Sequence, residues 1–145
     1  MFLLVHNKLP VKERLFRIQV EADPYCEYCL DSTGAEICDV EHFFCSCSRV
    51  AETWRRLKSI VLHLLEVGDA EVSDWDLINL HLPNIRNSNE AVWLLGSYVR
   101  EVWRSLHVKG RAVLKDAEFF GFLKFKYKND QHGARVPLSQ IPGLG

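Results

Sequence analysis

Cys26, Cys29, His42 and Cys47 are the residues whose types and spacing could act together, and the chemistry they fit is metal coordination. All five cysteines of the 145-residue chain fall in the stretch YCEYCLDSTGAEICDVEHFFCSC at 25–47. The pattern C-x2-C-x12-H-x4-C supplies two ligand pairs, each able to clamp a tetrahedral Zn2+ from one side. A C-x2-C turn lets both thiolates point at one ion while free backbone N–H groups stabilise the sulfur charge. Three Cys and one His make a closed structural site with no open position for catalysis. One structural zinc is therefore expected, contributing on the order of 10 kcal/mol or more to a loop with little core of its own. Cys45 rivals Cys47 as fourth ligand, because H-x2-C is also stereochemically accessible; Cys47 is preferred. Cys38 reads as a packing residue.

Three other uses of the cluster fit less well. Five cysteines are an odd number for a disulfide framework. The opening MFLLVH has an apolar run of five, too short for a signal peptide core or a membrane span, which leads one to expect an intracellular, reducing setting, nucleus or cytoplasm left open. A redox C-x2-C is disfavoured because no basic residue lies within eight positions of Cys26 or Cys29 to lower a thiol pKa. A base-reading zinc finger shares the spacing. It would need an aromatic residue and a leucine where Thr33 and Asp39 stand, and its helix would carry Glu36, Asp39 and Glu41 toward phosphate.

The elements that must position these ligands read as mostly helical. Pro10 opens VKERLFRIQV at 11–20, a helix with Leu15, Ile18 and Val11 on one face, stopped by Asp23-Pro24. From about Glu41 to Glu66 the apolar positions Phe44, Val50, Trp54, Leu57, Val61, Leu64 and Leu65 recur at three and four, predicting one long amphipathic helix. Ser73 three residues before Asp76 resembles a capping box for a short helix to Leu80. Asn87 with Glu90 caps another, running through AVWLLGSYVREVWRSLHV to Lys109-Gly110. A last helix over 112–128 puts Val113, Phe120, Leu123 and Tyr127 on one side, with a strand as alternative because FLKFKYK alternates with period two. The fold class is mostly α: several amphipathic helices, with one irregular Cys/Cys/His/Cys zinc loop between the first two. Residues 1–66 form the zinc-binding region, 67–128 a helical C-terminal region packed on it, and 129–145 an extended or disordered tail.

A hydrophobic content of 48% with four Trp and eight Phe is ample for a core. The net charge of −1 hides basic ends around an acidic middle: residues 21–41 carry seven acidic and no basic side chains. Residues 100–145 carry nine basic against four acidic. Arg100, Arg104, Lys109, Arg111, Lys115, Lys124, Lys126 and Lys128, interleaved with Phe119, Phe122, Phe125 and Tyr127, are the candidate nucleic-acid contacts, since cations mixed with aromatic rings suit single strands. Solvation of helix faces explains the same composition as well. Lys8, Lys12, Arg14, Arg17 and the group Arg49, Arg55, Arg56, Lys58 flank the zinc loop and could join that surface. His63, His81 and His107 stand without a Ser, Cys or carboxylate at a catalytic spacing, and no nucleophile elbow or phosphate-binding loop is present.

With those residues in view, the sequence resembles the zinc-binding region that follows the reverse transcriptase domain in non-LTR retrotransposon polyproteins. LPVKERLFRI at 9–18, DPYCEYC at 23–29, EHFFCSC at 41–47 and Trp54 carry the resemblance. Residues 92–145, with VWLLGSYVREVW and FFGFLKFKYK, resemble the C-terminal tails of such proteins less specifically. The resemblance implies a structural zinc, RNA or DNA as partner, an upstream polymerase domain as another, and origin as a C-terminal fragment of such a polyprotein or a host gene derived from one. The chain contains no Asp-Asp pair, so two-metal polymerase chemistry is not expected in it and no enzyme activity is assigned. Two functions result: weak nucleic-acid binding through basic helix faces, or protein–protein scaffolding with zinc purely structural. No membrane partner is expected.

Overall fold

Helices of 5 to 15 residues and two wide π-turns make up the computed structural model, which describes residues 9–29, 36–82, 88–108 and 114–129. The elements in chain order are α1 (Lys12–Arg17), a π-helical turn π1 (His42–Ser46), α2 (Ala51–Leu65), α3 (Asp74–Ile78), α4 (Ser88–Val102), a second π-turn π2 (Trp103–Val108) and α5 (Asp116–Asn129). The protein is mostly helical, with no strand among the described residues, and the Cys/His cluster lies between α1 and α2.

The long helix expected over 41–66 is broken. Cys47 takes an extended conformation (φ −60°, ψ 137°), and α2 begins only at Ala51. The reason lies in π1. In a regular α-helix two residues five apart point about 140° away from each other. Widening the turn to an i→i+5 hydrogen bond, here Cys47 N–H to the His42 carbonyl at 2.7 Å, brings them back to one side. The wide turn also buries His42, Phe43, Phe44 and Cys45 together. Asp39 starts it, its side chain accepting the His42 N–H at 2.7 Å.

α2 is built of good helix formers around a buried stripe of Trp54, Leu57, Val61, Leu64 and Leu65, as the spacing predicted. It ends where Glu66 turns left-handed (φ 56°). α3 forms where the Ser73 cap was expected: Ser73 Oγ accepts the Asp76 N–H at 3.1 Å. The following helix runs as α only to Val102 and then widens into π2; Asn87, Lys109 and Gly110 lie outside the described residues. FLKFKYK is helical rather than a strand, so its alternating apolar residues part: Leu123 and Tyr127, four apart, are buried and Phe125 is exposed. Phe120, Leu123 and Tyr127 are buried there, as expected, while Val113 falls outside the described residues. α1 is shorter than the sequence implied: Gln19 turns left-handed (φ 65°), and of the expected apolar face only Val11 is fully buried, with Ile18 52% exposed. Asn129, expected to begin the tail of 129–145, instead closes α5, and residues 130–145 lie outside the described residues.

α2 packs on α4 and on π1, α3 on α4, and α5 against both α2 and α4. One apolar cluster runs from Leu9 to Tyr127. Tyr98 of α4 sits at its centre, fully buried, its ring 5.3 Å from Trp54 and 5.6 Å from Phe119. Its hydroxyl donates to the Phe44 carbonyl at 2.5 Å, so the polar atom is satisfied and π1 is fastened to α4. Among the described residues no helix is long and apolar enough to cross a membrane.

Candidate metal centre

Three local devices bring the four residues together. Cys26 lies in a short two-stranded contact: Tyr25 bridges Ile37, Cys26 N–H donates to the Glu36 carbonyl at 2.7 Å, and Cys38 N–H to the Pro24 carbonyl at 2.8 Å. This ladder fixes Cys26 in the interior and leaves Tyr25 and Ile37 outside. Cys29 follows on the C-x2-C turn, where the Tyr28 N–H faces the Cys26 sulfur. Lys12 clamps the turn from α1, its Nζ 3.2 Å from Asp23 and 3.5 Å from Glu27. π1 delivers His42 and Cys47.

The result is one group. A ligand atom from each of Cys26, Cys29, His42 and Cys47 lies within 4.8 Å of every other, and these residues could hold a metal ion. Cys47 Sγ is 3.8 Å from Cys26 Sγ and 3.8 Å from Cys29 Sγ. That is the sulfur–sulfur edge of a tetrahedron with metal–sulfur bonds of about 2.3 Å, which is about 3.8 Å long. It is far beyond a disulfide bond, and all five cysteines are free. His42 is buried, and its Nε2 has no hydrogen-bond partner, as a lone pair kept for an ion would require. Three of the four residues are buried and Cys29 is half-buried.

Polar groups converge on the sulfurs from outside the group. Ser48 N–H points at Cys29 Sγ from 3.4 Å. Arg49 Nε points at Cys47 Sγ from 3.4 Å. Burial pushes the Cys26 thiol well above the ordinary range. Burial acts upward on Cys47 too, but hydrogen bonds and the charge of Arg49 hold it below the ordinary range. Cys45 is not in the group; it packs in the core, where burial raises its thiol strongly. Cys38 is likewise a buried core thiol, as expected.

The basic residues are distributed differently from the expectation. The group Arg49, Arg55, Arg56, Lys58 does not form a free cationic surface. Arg49 is buried, Arg55 pairs with Glu52, Arg56 with Asp116 at 3.0 Å, and Lys58 with Asp69 and Asp74 at 2.8 Å each. Lys12 serves the loop, and Arg17 pairs with Glu13 at 2.6 Å. Of the C-terminal candidates, Arg104 is bound to Glu101 at 2.6 Å, Arg100 and Lys115 are exposed, and Lys124 and Lys126 are half-buried on α5. Lys126 Nζ lies 5.7 Å over the Phe122 ring. Lys8, Lys109, Arg111 and the side chain of Lys128 lie outside the described residues. Sequence reasoning put Arg49 on that cationic surface and missed its place beside the Cys47 sulfur. Its signal was visible, since it is the first Lys or Arg after Arg17 and stands two positions beyond Cys47.

No protein-family model, curated protein or solved structure matches the chain.

Proposed function

We propose that this chain is a structural-zinc helical module that contacts nucleic acid weakly and carries out no catalysis of its own. The observation that carries the reading is the 3.8 Å sulfur–sulfur spacing around a buried, unpartnered His42 Nε2. A set of three thiolates and one imidazole, tetrahedral and closed, suits Zn2+ above harder divalent ions. Bound there, the ion would supply cross-linking between the 26–29 turn and π1. The resemblance to the region that follows retrotransposon reverse transcriptases supports nucleic acid as partner and a retroelement-derived origin. α5 offers the contact face, with Lys124 and Lys126 beside the exposed rings of Phe122 and Phe125. The test is fluorescence anisotropy of a labelled single-stranded RNA and DNA across a salt series. Binding should weaken steeply with salt and be lost when Lys124 and Lys126 are both changed to Glu. Binding that ignores salt, or survives both changes, would refute it.

A second reading, a protein-docking module, is favoured by a different observation. Ile37 and Trp75 line a cleft of about 410 Å³ with Glu13, Asp39 and Glu41, and its one guanidinium, Arg17, is already paired with Glu13. Exposed Phe16 and Ile18 lie on or just beyond α1, the helix that supplies Glu13 and Arg17. That surface repels phosphate and suits a basic, partly apolar peptide. Ile37→Asp and Trp75→Ala would weaken such a partner and leave nucleic-acid retention unchanged.

A further inference from the structure

We infer that Arg49 is the internal counter-ion of the metal centre. The inference rests on the structural-metal reading above and assigns a role to a residue outside the ligand set. Arg49 is 7% exposed. Its guanidinium lies 3.9 Å over the Tyr28 ring and 5.5 Å from the Phe43 ring centroid, sandwiched by aromatic faces rather than water. Among the described residues no carboxylate lies within ion-pair distance of it. A buried guanidinium cannot shed its proton, and without an anion its desolvation is strongly unfavourable. The polar side-chain atom it does face is Cys47 Sγ, at 3.4 Å.

Charge accounting identifies the anion. Three thiolates and a neutral imidazole around a divalent ion carry one net negative charge, and Arg49 cancels it. A site with two thiolates and two imidazoles would already be neutral, and Arg49 would then be a buried excess cation. The counter-ion therefore belongs to a centre in which Cys26, Cys29 and Cys47 are all thiolates. Arg49 is a positioning residue: it orients the Cys47 sulfur through Nε–H and lowers the free energy of assembling three anionic ligands at one point.

The test uses the full chain and Zn2+ itself, titrated against a chromophoric chelator, on wild type, Arg49→Gln and Arg49→Lys. Arg49→Gln should weaken zinc affinity about 10–100-fold at an unchanged stoichiometry of one. Arg49→Lys, which keeps the charge but not the Nε–H donor, should recover most of that loss. Lysine cannot reproduce the planar stacking on Tyr28, so a role in packing alone would cost R49K as much as R49Q. Where R49Q fails to fold, R49K against wild type decides the matter: an R49K that keeps most of the wild-type affinity upholds the role, and a loss of about 10–100-fold overturns it. Wild-type affinity in R49Q, or an R49K as weak as R49Q, overturns the counter-ion role while leaving the metal site intact. No zinc on the wild-type chain overturns the metal reading and this inference together.

Discussion

Leu114 donates its backbone N–H to the Arg49 carbonyl at 3.0 Å, and its own carbonyl accepts from Thr53 Oγ at 3.5 Å. Residue 114 is the entry to α5, and Arg49 is two positions past Cys47 of the candidate metal centre. The C-terminal helix is thus tied to the same turn that leaves the metal centre. Chelation should therefore deprotect the Leu114 amide together with the amides of Cys26 and Cys47, while α4, held in the core by Leu94, Leu95 and Tyr98, keeps its protection. Hydrogen exchange with and without chelator checks this; an unchanged Leu114 amide would uncouple α5 from the centre.

The choice between neighbouring cysteines has a clean mutational signature. Cys47→Ser should abolish metal binding. Cys45→Ser should keep full stoichiometry and lose about 1–3 kcal/mol of stability, the cost of burying an ill-matched hydroxyl in an apolar position. Metal content and chemical denaturation of the two variants measure both effects.

Acidification should empty the site. Burial keeps Cys26 protonated in the metal-free fold, so taking up an ion at neutral pH expels that proton. Protons compete with metal, hence affinity rises with pH and metal is released as pH falls, by about tenfold per pH unit for each proton displaced. The metal-free fold has the opposite dependence. Its Cys26 pKa is raised above the unfolded value, so that contribution is intact below the ordinary thiol range and is lost as pH rises through the folded value. Chelator competition between roughly pH 6 and 8 measures the first slope, and a flat profile would exclude thiolate ligation.

Tyr98→Phe isolates the fastening of π1 to α4. The ring and its contacts with Trp54 and Phe119 stay, but the Phe44 carbonyl loses its buried donor. A loss of about 1–3 kcal/mol is expected by urea denaturation, with metal stoichiometry unchanged.

How much of this was legible in the sequence depends on which interactions decide each feature. Helical stripes such as Leu57, Val61 and Leu64 are set by local periodicity, and α2 through α5 follow it. The ligand group was legible because spacing limits which side chains can meet: Cys26, Cys29, His42 and Cys47 do meet, and Cys45 does not. The break between π1 and α2 was not, since Phe44, Val50 and Trp54 fit a continuous helix. Only the demand that residues five apart share one side, a tertiary condition, selects the wide turn. The fate of the cations was hidden for a related reason. Arg56 meets Asp116 from sixty residues away, and Arg49 meets Tyr28 from across the cluster. Composition counts charges but cannot pair them.

Zinc content per chain is the measurement that tests the metal centre most directly, by elemental analysis of wild type and of His42→Ala and Cys47→Ala, with circular dichroism before and after chelation. One zinc per wild-type chain, absent from both variants and accompanied by a loss of helix signal on chelation, is the predicted result. A wild-type chain that is folded, helical and free of zinc would contradict it.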